Sequence, residues 1–494
     1  MKTVYTTTML LVLGLQLVNA QLVLNLKGTE QKTNKKVELK EIAYVEGLIR
    51  YQVTIDGAEK VVNYNEISRI DFEIKDLTDF WQNQAVKLGA YQNLMKYGIR
   101  YDLRRDWETE ALQYLNKIDQ NGLAFEDSYL ESYLYSLIYR VYPGSLNDRR
   151  PGILNVKVMI DSSPNAFIFP NGTLVITTGL LSTLNSEEEL LAVIAHEVSH
   201  FALDHSAINI HKEIQRQKNA EFWALFTTAL AAVTEVYVAS TDEYYVPGGF
   251  TYNMAILSYS IANAFTERLG LKYSREQELE ADNCAVELLK FLKVDHTALA
   301  SALSKIREFC LLSGNYYALT GDGSHPNILE RIKTIGTPNS FNSINYDKLV
   351  SLVNTSNAII EFNSKHFLTC QMLVDRNIKA GVAIEDDYLL KAMTIQYMFD
   401  NTVKNNESLD LIRKAKSLGV TPSIHLHKQE ALVLIRLKNF KEAEQALLAY
   451  NEDLQNSLKR IVDIRNEILW YNTKEYIDKE MTWAAKMLHK VRNL

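Results

Sequence analysis

The pattern of apolar and polar positions divides the chain into a strand-rich N-terminal segment and a long helical remainder. Residues 21–74 alternate β-branched and aromatic residues with polar ones, and Asp56 and Gly57 stand between two such runs. An Asp-Gly pair between two such runs is typical of a β-hairpin turn. From Leu77 to about Tyr142 the apolar positions follow the helical period. The pattern therefore predicts a small β domain over residues 21–74, followed by helices.

Three short strands are predicted before an apolar helix. The strands are "ILNVKVMID", "NAFIF" and "TLVITTGLL", with the turn "PNG" between the second and the third. Ser186 and Glu189 form the sequence pattern of a capping box, which predicts a helix over about 187–205. Ser274, with Gln277 three residues later, predicts a second capped helix in the same way.

The segment 220–266 is rich in apolar residues but is interrupted by charges and by a Pro-Gly-Gly turn. Neither apolar run reaches the roughly 18–20 residues that a membrane span requires. We interpret the segment as a pair of core helices. A lid over a binding site and a hairpin that touches a membrane are the alternatives.

Beyond about Thr337 the chain is predicted to be helical throughout. Residues 404–412 and 438–446 align at an offset of 34, the tetratricopeptide period. The later copy has the small residues Ala431 and Ala443 where two helices must pack closely, whereas the earlier copy has Tyr397 and Leu409. The pattern favours a tetratricopeptide-like (TPR-like) domain over 376–494, with a linker or helical connector over 338–375.

The first twenty residues differ from the rest of the chain. Lys2 is followed by an apolar run to Val18 and by a small residue at Ala20. This is typical of a secretory signal peptide, after which the mature protein would begin at Gln21. A first core strand is the alternative. The signal-peptide interpretation predicts an exported protein, in the periplasm or secreted.

Charge and cysteine content narrow the functional classes. The net charge is −7 and no basic stripe occurs, which argues against a nucleic-acid-binding protein. The three cysteines, Cys284, Cys310 and Cys370, form no CxxC pair. We interpret them as buried structural residues.

The sequence "AVIAHEVSHFALDH" carries the chemistry. Residues four apart share a helix face, so His196 and His200 can bind one metal ion. Zinc lowers the pKa of a bound water to about 7. Glu197 can then take up the proton of that water as it attacks a carbonyl, which predicts metal-assisted hydrolysis.

A catalytic zinc ion normally has a third protein ligand. His205 lies nine residues after His196, half a turn out of phase, and is predicted to face away. Glu278 and Asp282, in "ELEAD", share a face of the second capped helix. Glu278 can ligate zinc, and Asp282 can orient a ligand histidine. Glu280 is interpreted as a surface carboxylate.

Three motifs in this order, "HEVSHFALDH", "SREQELEAD" and "SHPNILERI", resemble those of the gluzincin peptidases typified by the CAAX prenyl protease and the heat-shock protease HtpX. The resemblance covers about 75–335. It implies one zinc ion per chain, held by His196, His200 and Glu278, with Glu197 as the general base and Asp282 as an accessory residue.

The signal peptide and the C-terminal repeats make the chain more similar to the periplasmic BepA-type members, which are associated with quality control of outer-membrane proteins. We therefore expect an α+β fold that is predominantly helical. It combines the small β domain, a zincin-like metalloprotease domain over 75–337 and the TPR-like domain. The resemblance gives the N-terminal β domain no role.

Substrate contacts are predicted at two places. Asn165, Ala166 and Phe167 are chosen as a sheet edge to which an extended peptide adds as a strand. A plain core strand is the alternative. Arg331 is assigned either to anchoring a loop or to substrate binding.

His325 lies in the "SHP" segment, which the resemblance places near the metal. Its imidazole could donate a hydrogen bond to the oxyanion, or it could occupy the open metal position and keep the enzyme latent, which is the interpretation we favour. Ordinary packing at a helix start is the third alternative.

The sequence thus predicts an exported zinc metalloendopeptidase acting on polypeptides, including misfolded envelope proteins, with a protein partner on the TPR-like domain. Peripheral membrane contact is compatible with it. A TPR scaffold or chaperone with a rarely used metal site is the alternative function.

Overall fold

The structure is a computed structural model, and it describes residues 21–45, 48–89, 99–120, 122–143, 154–216, 273–312, 328–418, 424–460 and 467–494. The predicted signal peptide, the apolar segment 220–266 and His325 lie outside these residues. Across the described ranges, no helix is long and apolar enough to cross a membrane.

A five-stranded antiparallel sheet forms the N-terminal part, as predicted. Its order is β4-β3-β2-β1-β5. Asp56 and Gly57 close the β3–β4 hairpin with φ values of +49° and +82°, a conformation that Asp and Gly tolerate. The elements are β1 Gln21–Glu30, β2 Lys36–Val45, β3 Leu48–Ile55, β4 Ala58–Val62, the short helix α1 Tyr64–Ile67 and β5 Ile70–Phe72.

Three helices connect this sheet to the rest of the chain: α2 Leu77–Lys87, α3 Ile99–Gln120 and α4 Ser128–Val141. On α2, Phe80 stacks on Phe291 with ring centroids 5.7 Å apart. The neighbouring Trp81 packs against Tyr142 and donates its indole N–H to the Val141 carbonyl at 2.8 Å. One buried apolar cluster therefore runs from the N-terminal sheet into the helices that follow.

A three-stranded sheet supports the metal-binding helix. It consists of β6 Asn155–Met159, β7 Ala166–Ile168 and β8 Thr173–Thr177, in the order β6-β8-β7. β7 is an edge strand that pairs antiparallel with β8. The predicted third strand is shorter than expected, because residues 178–183 turn into the helix α5 Thr178–Thr183.

The helix α6 Glu187–Ala202 follows and packs against β7. It ends three residues before the predicted end at His205, and the capping box is only half formed. The Ser186 side chain accepts from the Glu189 N–H, as predicted. The Glu189 carboxylate, however, accepts from the backbone of Asn185 instead of that of Ser186.

Residues 171–173, Asn-Gly-Thr, fit the pattern of a glycosylation site but lie at the turn between β7 and β8. Asn171 is buried, accepts from the Thr173 N–H at 3.1 Å and donates to Glu108 at 3.0 Å. Gly172 has φ +92°, and a Cβ there would lie 2.8 Å from Leu154. These residues therefore shape the turn.

Four more helices complete the metal-binding region: α7 His205–Arg216, α8 Arg275–Phe291, α9 Thr297–Leu312 and α10 Ile328–Ile335. The predicted capping box of Ser274 and Gln277 is confirmed at the start of α8. Both α8 and α9 pack against α6. The metal-binding helix is therefore surrounded on several sides, which accounts for the burial of nearly all its residues.

The C-terminal part is a stack of helices in which each helix from α13 onwards packs on its predecessor. It has its own buried cluster, which reaches from Ala358 to Val491. The helices are α11 Ile344–Leu349, α12 Ser351–Asn363, α13 Phe367–Ala380, α14 Glu385–Met398, α15 Thr402–Leu418, α16 Ile424–Arg436, α17 Phe440–Arg460 and α18 Glu467–Arg492.

The two proposed repeat copies differ in this stack. Ala431 and Ala443 are fully buried, as close helix packing requires. Tyr397, at the first corresponding position of the earlier copy, is 56% exposed, whereas Leu409 at the second is buried. Helix α13 also continues through the predicted boundary at 375/376. The TPR-like division stays a prediction.

Buried hydrogen bonds attach the C-terminal helices to α5. Asn357 accepts from the Thr178 hydroxyl and donates to Ser182, both at 2.7 Å. Arg376 donates to the carbonyls of Ser182 and Leu184 at 2.6 and 2.7 Å. Arg376 thus satisfies carbonyls at the end of α5, where the helix itself offers no partner.

The three cysteines are buried, as expected, and none of them forms a disulfide bond. Burial raises the pKa of Cys284 to about 12, so its thiol stays protonated and unreactive.

Candidate metal centre

Three ligand atoms from two helices converge at one point. On α6, the Nε2 atoms of His196 and His200 are 3.1 Å apart. On α8, Glu278 places one carboxylate oxygen 3.5 Å from His200 Nε2 and the other 3.6 Å from His196 Nε2. All three side chains are buried. The two histidines of the HExxH motif and Glu278 thus lie together, as the sequence predicted for ligands of one metal ion.

The separations fit a tetrahedral zinc ion. Ligand atoms about 2.0–2.1 Å from zinc at the tetrahedral angle stand about 3.3 Å from one another. The two imidazole nitrogens stand 3.1 Å apart and Glu278 Oε1 stands 3.5 Å from His200 Nε2, both close to that value. Within the described part of the chain, this is the group of three side chains able to hold a metal ion. Two imidazoles and a carboxylate are a donor set that zinc accepts.

Asp282 holds the first histidine. Its Oδ1 lies 2.9 Å from His196 Nδ1, on the opposite side of the ring from the atom that faces Glu278. A hydrogen bond at Nδ1 keeps the proton there and leaves Nε2 free to bind metal. Glu278 and Asp282 serve the same site because they lie one turn apart on α8.

Arg331 lies inside the site. Its guanidinium donates to both oxygens of Asp282 at 2.8 and 2.7 Å and pairs with Glu278 at 2.7 Å. The side chain is only 2% exposed. The sequence suggested a loop anchor or a substrate-binding residue; the structure instead places this arginine on two carboxylates of the metal centre. The planar guanidinium suits two such partners at once.

The helix that carries Arg331 is itself held in place. Arg275, the first residue of α8, forms an ion pair with Glu330 of α10. This pair joins the two helices next to the point where Arg331 enters the site. The register of α10 against α8 therefore places the guanidinium over the carboxylates.

The charges of the centre are unequal. Three buried carboxylates, those of Glu197, Glu278 and Asp282, face the single cation Arg331 among the described side chains. Burial and Arg331 lower the pKa of His196, but hydrogen bonds to Asp282 and Glu278 outweigh them and raise it to about 9. Buried charge must be compensated. A histidine that ligates a metal ion is neutral, and with His196 neutral two further positive charges would balance the three carboxylates; a divalent metal ion carries two.

Tyr273 was missed by the sequence reasoning. Its ring stacks on His200 with centroids 3.6 Å apart, and its hydroxyl lies 2.8 Å from the Ser206 hydroxyl. Burial, together with the carboxylates of Glu197 and Glu278, raises its pKa. Tyr273 therefore stays a neutral wall of the site. It lies just before the Ser274 cap, so proximity to that cap is the signal that could have found it.

The prediction that His205 faces away from the site was wrong. Its Nδ1 lies 2.9 Å from His200 Nδ1. The prediction carried the helical phase through to position 205, but α6 ends at Ala202 and Asp204 adopts φ +65°. A left-handed residue redirects the chain, and Asp tolerates that conformation. Glu280, interpreted as a surface carboxylate, lies 3.2 Å from the other nitrogen of His205.

The backbone pattern of β7 refines the predicted substrate edge. The Thr177 N–H donates to the Asn165 carbonyl at 3.0 Å, and the Phe169 N–H donates to the Thr173 carbonyl at 2.9 Å. Bonded and non-bonded pairs alternate along an antiparallel ladder. The backbone groups of Asn165 and Phe167 therefore point towards β8 and are hydrogen-bonded to it.

The outward backbone groups of the edge belong to Ala166 and Ile168. Of the three residues chosen from the sequence, only Ala166 offers its backbone to a further strand. Ala166, Phe167 and Ile168 are all buried. His325, the remaining predicted residue, lies outside the described residues.

Comparisons with known proteins agree with this geometry. Residues 132–339 match a model of the family described as Peptidase family M48. The "Mitochondrial metalloendopeptidase OMA1" of Schizosaccharomyces pombe is 28% identical over 178 residues, which is 36% of this chain and 44% of that protein.

Two bacterial relatives match the same part of the chain. The "Metalloprotease LoiP" of Escherichia coli K12 is 28% identical over 37% of this chain and 61% of its own length. The "Putative beta-barrel assembly-enhancing protease" of Vibrio cholerae is 22% identical over 40% of this chain and 36% of its own length. The chain thus spans between about a third and three fifths of the relatives it matches.

The matched residues contain every member of the cluster, from His196 to Arg331. The central part of the chain is therefore a metalloendopeptidase domain. Residues 132–339 are similar to the domain that the Peptidase family M48 model describes.

Proposed function

We propose that this protein is an exported zinc-dependent endopeptidase that hydrolyses peptide bonds in polypeptides of the cell envelope. The observation that supports it most is the convergence of His196, His200 and Glu278 to within 4.8 Å, inside a peptidase family match. Glu197, the residue after the first ligand, is also buried at the site.

The residues of the site have three different roles: metal binding, proton transfer and positioning. His196, His200 and Glu278 would hold one zinc ion, which when bound supplies Lewis acidity and an activated water. Glu197 takes the proton from that water and passes it to the leaving amine. Asp282 keeps His196 in its metal-binding tautomer, and Arg331 holds Asp282 and Glu278 in place.

The substrate would lie along β7. An extended peptide that adds to this edge hydrogen-bonds to the backbone of Ala166 and Ile168, which places its carbonyls beside α6. Backbone pairing is independent of side-chain identity, and this suits an enzyme that acts on many polypeptides.

The proposal assigns His325 an inhibitory role. In the resting state its imidazole would take the open metal position, since a fourth protein ligand closes a catalytic zinc site. His325→Ala should then raise basal cleavage with zinc retained. A large fall in cleavage would instead make His325 catalytic, and no change would leave it as a packing residue.

Export and envelope quality control rest on the N-terminal twenty residues and on the names of relatives. Besides the Vibrio protein, the "Beta-barrel assembly-enhancing protease" of Escherichia coli O157:H7 matches 39% of this chain at 23% identity. The C-terminal helical stack would bind a protein partner, as stacked helical repeats do. A scaffold with an idle metal site is less well supported, because the donor set and Glu197 are both intact.

The direct test is metal analysis combined with casein cleavage by purified protein. We expect one zinc ion per chain, cleavage that a chelator abolishes, and recovery when zinc is restored. A protein that binds zinc but cleaves nothing would favour the scaffold function.

A further inference from the structure

A second line of side chains runs away from the metal centre, on the side opposite Asp282. His200 directs Nε2 towards Glu278 and Nδ1 towards His205, whose Nδ1 is 2.9 Å away. The far nitrogen of His205, Nε2, lies 3.2 Å from a carboxylate oxygen of Glu280. We call these three residues the His200 arm.

Only one arrangement of protons satisfies the His200 arm when His200 binds metal. A metal on Nε2 of His200 leaves its proton on Nδ1, which must donate to His205 Nδ1. His205 then carries its own proton on Nε2 and donates it to Glu280. Every hydrogen bond points towards the carboxylate, and both imidazoles are neutral. The arrangement corresponds to a carboxylate–histidine–metal triad in which a second imidazole, that of His205, lies between the carboxylate and the ligand histidine.

The surroundings hold His205 in this position. It is 2% exposed, and it follows directly after Asp204, whose carboxylate accepts two hydrogen bonds from the fully buried Arg104 at 2.7 Å. Arg104 belongs to α3, and it anchors the turn that brings His205 back to His200. Tyr273 stacks on the face of the His200 ring, with centroids 3.6 Å apart, and limits its rotation.

We infer that His205 is a positioning residue of the metal centre, which fixes the tautomer and orientation of His200, and that Glu280 orients His205. The inference rests on the proposed zinc site. The two histidine ligands therefore differ in how they are positioned. Asp282 contacts His196 directly, whereas the His205 imidazole lies between His200 and Glu280. Because Glu280 is half exposed, water can partly replace it.

Chelator competition with zinc measures this role without any cleavage reaction. His205→Phe keeps a ring of similar size but cannot accept a hydrogen bond, and we expect zinc affinity to fall about 10- to 100-fold. Glu280→Ala should weaken zinc binding only a few fold. Glu276→Ala, one turn earlier on α8 and without contact to His205, removes the same charge and should leave affinity unchanged.

Two further readouts separate positioning from general damage. His205→Gln can still accept from His200 Nδ1, and it should recover most of the lost affinity. Cobalt bound in place of zinc should show shifted visible absorption bands in His205→Phe but not in Glu276→Ala. Thermal melts of the metal-free variants identify any that are misfolded; if His205→Phe is misfolded, His205→Leu, which also cannot accept a hydrogen bond, replaces it in the comparison with His205→Gln.

The outcomes are distinguishable from those of the proposed function. If wild type binds zinc and His205→Phe binds it equally well, the positioning role is wrong and the peptidase proposal is untouched. If His205→Phe loses affinity but zinc-loaded wild type cleaves no peptide, the positioning role holds and the peptidase proposal fails. Wild type that binds no zinc contradicts both.

Discussion

The metal centre and the C-terminal helical stack both bury polar side chains, but they satisfy them differently. In the stack, Asn377 lies between Asn354 and Asp387, with hydrogen bonds of 2.9 and 3.1 Å, and Thr355 donates to the same carboxylate at 2.8 Å. We call these four residues the amide network. One carboxylate there is surrounded by neutral donors.

In the metal centre, by contrast, the carboxylates of Glu278 and Asp282 share one arginine, and ligand atoms of His196, His200 and Glu278 lie within 4.8 Å of one another. Buried polar groups are ordinarily paired with one another. The Asn377 amide and the Asp387 carboxylate of the amide network follow that rule, although Asn354 Oδ1 has no hydrogen-bond partner among the described residues. The metal centre instead has an excess of negative charge, and its ligand atoms point to one place. These two features distinguish a metal site from a structural hydrogen-bond network, even when no metal ion is bound.

The largest contrast should come from Glu278→Ala. A three-ligand site becomes a two-ligand site, and Arg331 loses one of its two partners, so we expect zinc affinity to fall more than a hundredfold. Glu276→Ala on the same helix is the matched control and should bind zinc as wild type does. Equal affinities in chelator competition would remove Glu278 from the ligand set.

Arg331→Leu tests the charge balance. Removing one partner of a buried charge cluster costs about 3–5 kcal/mol. We expect a loss of about 3 kcal/mol in the unfolding free energy of the metal-free protein, partly recovered by zinc. Arg413→Leu, at an exposed arginine of α15, is the control and should leave the denaturant midpoint nearly unchanged. Similar denaturant midpoints for the two variants would contradict the assignment.

Asn377→Ala tests the amide network. Its side chain donates to Asp387 and to the Ser351 carbonyl and accepts from Asn354, so its loss removes hydrogen bonds to three neighbours. We expect a cost of about 2 kcal/mol in stability, with zinc affinity unchanged. A fall in zinc affinity would show that the two regions are coupled, and the contrast between them would then be too simple.

Asp161 is a buried carboxylate of a third kind: within the described ranges its Oδ1 accepts from the Ser163 N–H, and its Oδ2 has no hydrogen-bond partner. Burial raises its pKa to about 6, although the Ser163 N–H opposes the shift. The folded protein thus binds this proton more tightly than the unfolded one, and stability falls as pH rises from about 4 to about 6.

Asp161→Asn keeps the acceptor for Ser163 and removes that penalty. We expect a gain of about 1 kcal/mol at pH 7.5 and little at pH 4, below the ceiling of about 3 kcal/mol that the pKa shift sets. Thermal melts at the two pH values measure it. A variant that is destabilised at pH 7.5 would mean that the charged carboxylate has a partner the account lacks.

Periodicity predicted the parts of the site that lie within single helices. His196 with His200, and Glu278 with Asp282, are each four apart, and the i to i+4 geometry of a helix fixed both pairs before their contact was known. The capping pattern of Ser274 placed the start of α8 correctly. The β-hairpin at Asp56 and Gly57 follows equally from local conformational preference.

What could not be predicted depends on how elements meet. The position of His205 follows from a left-handed turn at Asp204, which no apolar period records. Arg331 comes from a short helix whose register against α8 is set by tertiary packing. The outward backbone groups of Ala166 and Ile168 follow from pairing with β8, which the strand's own sequence does not specify.

The central claim is that Glu197 does the chemistry at a metal held by other residues. Glu197→Gln measures this most directly, by zinc content per chain and by casein cleavage on the same preparation. The account predicts one zinc ion per chain, as in wild type, and a loss of cleavage of about 10²- to 10⁴-fold, since only the base is removed. Loss of the zinc, or cleavage at the wild-type rate with zinc bound, would contradict it.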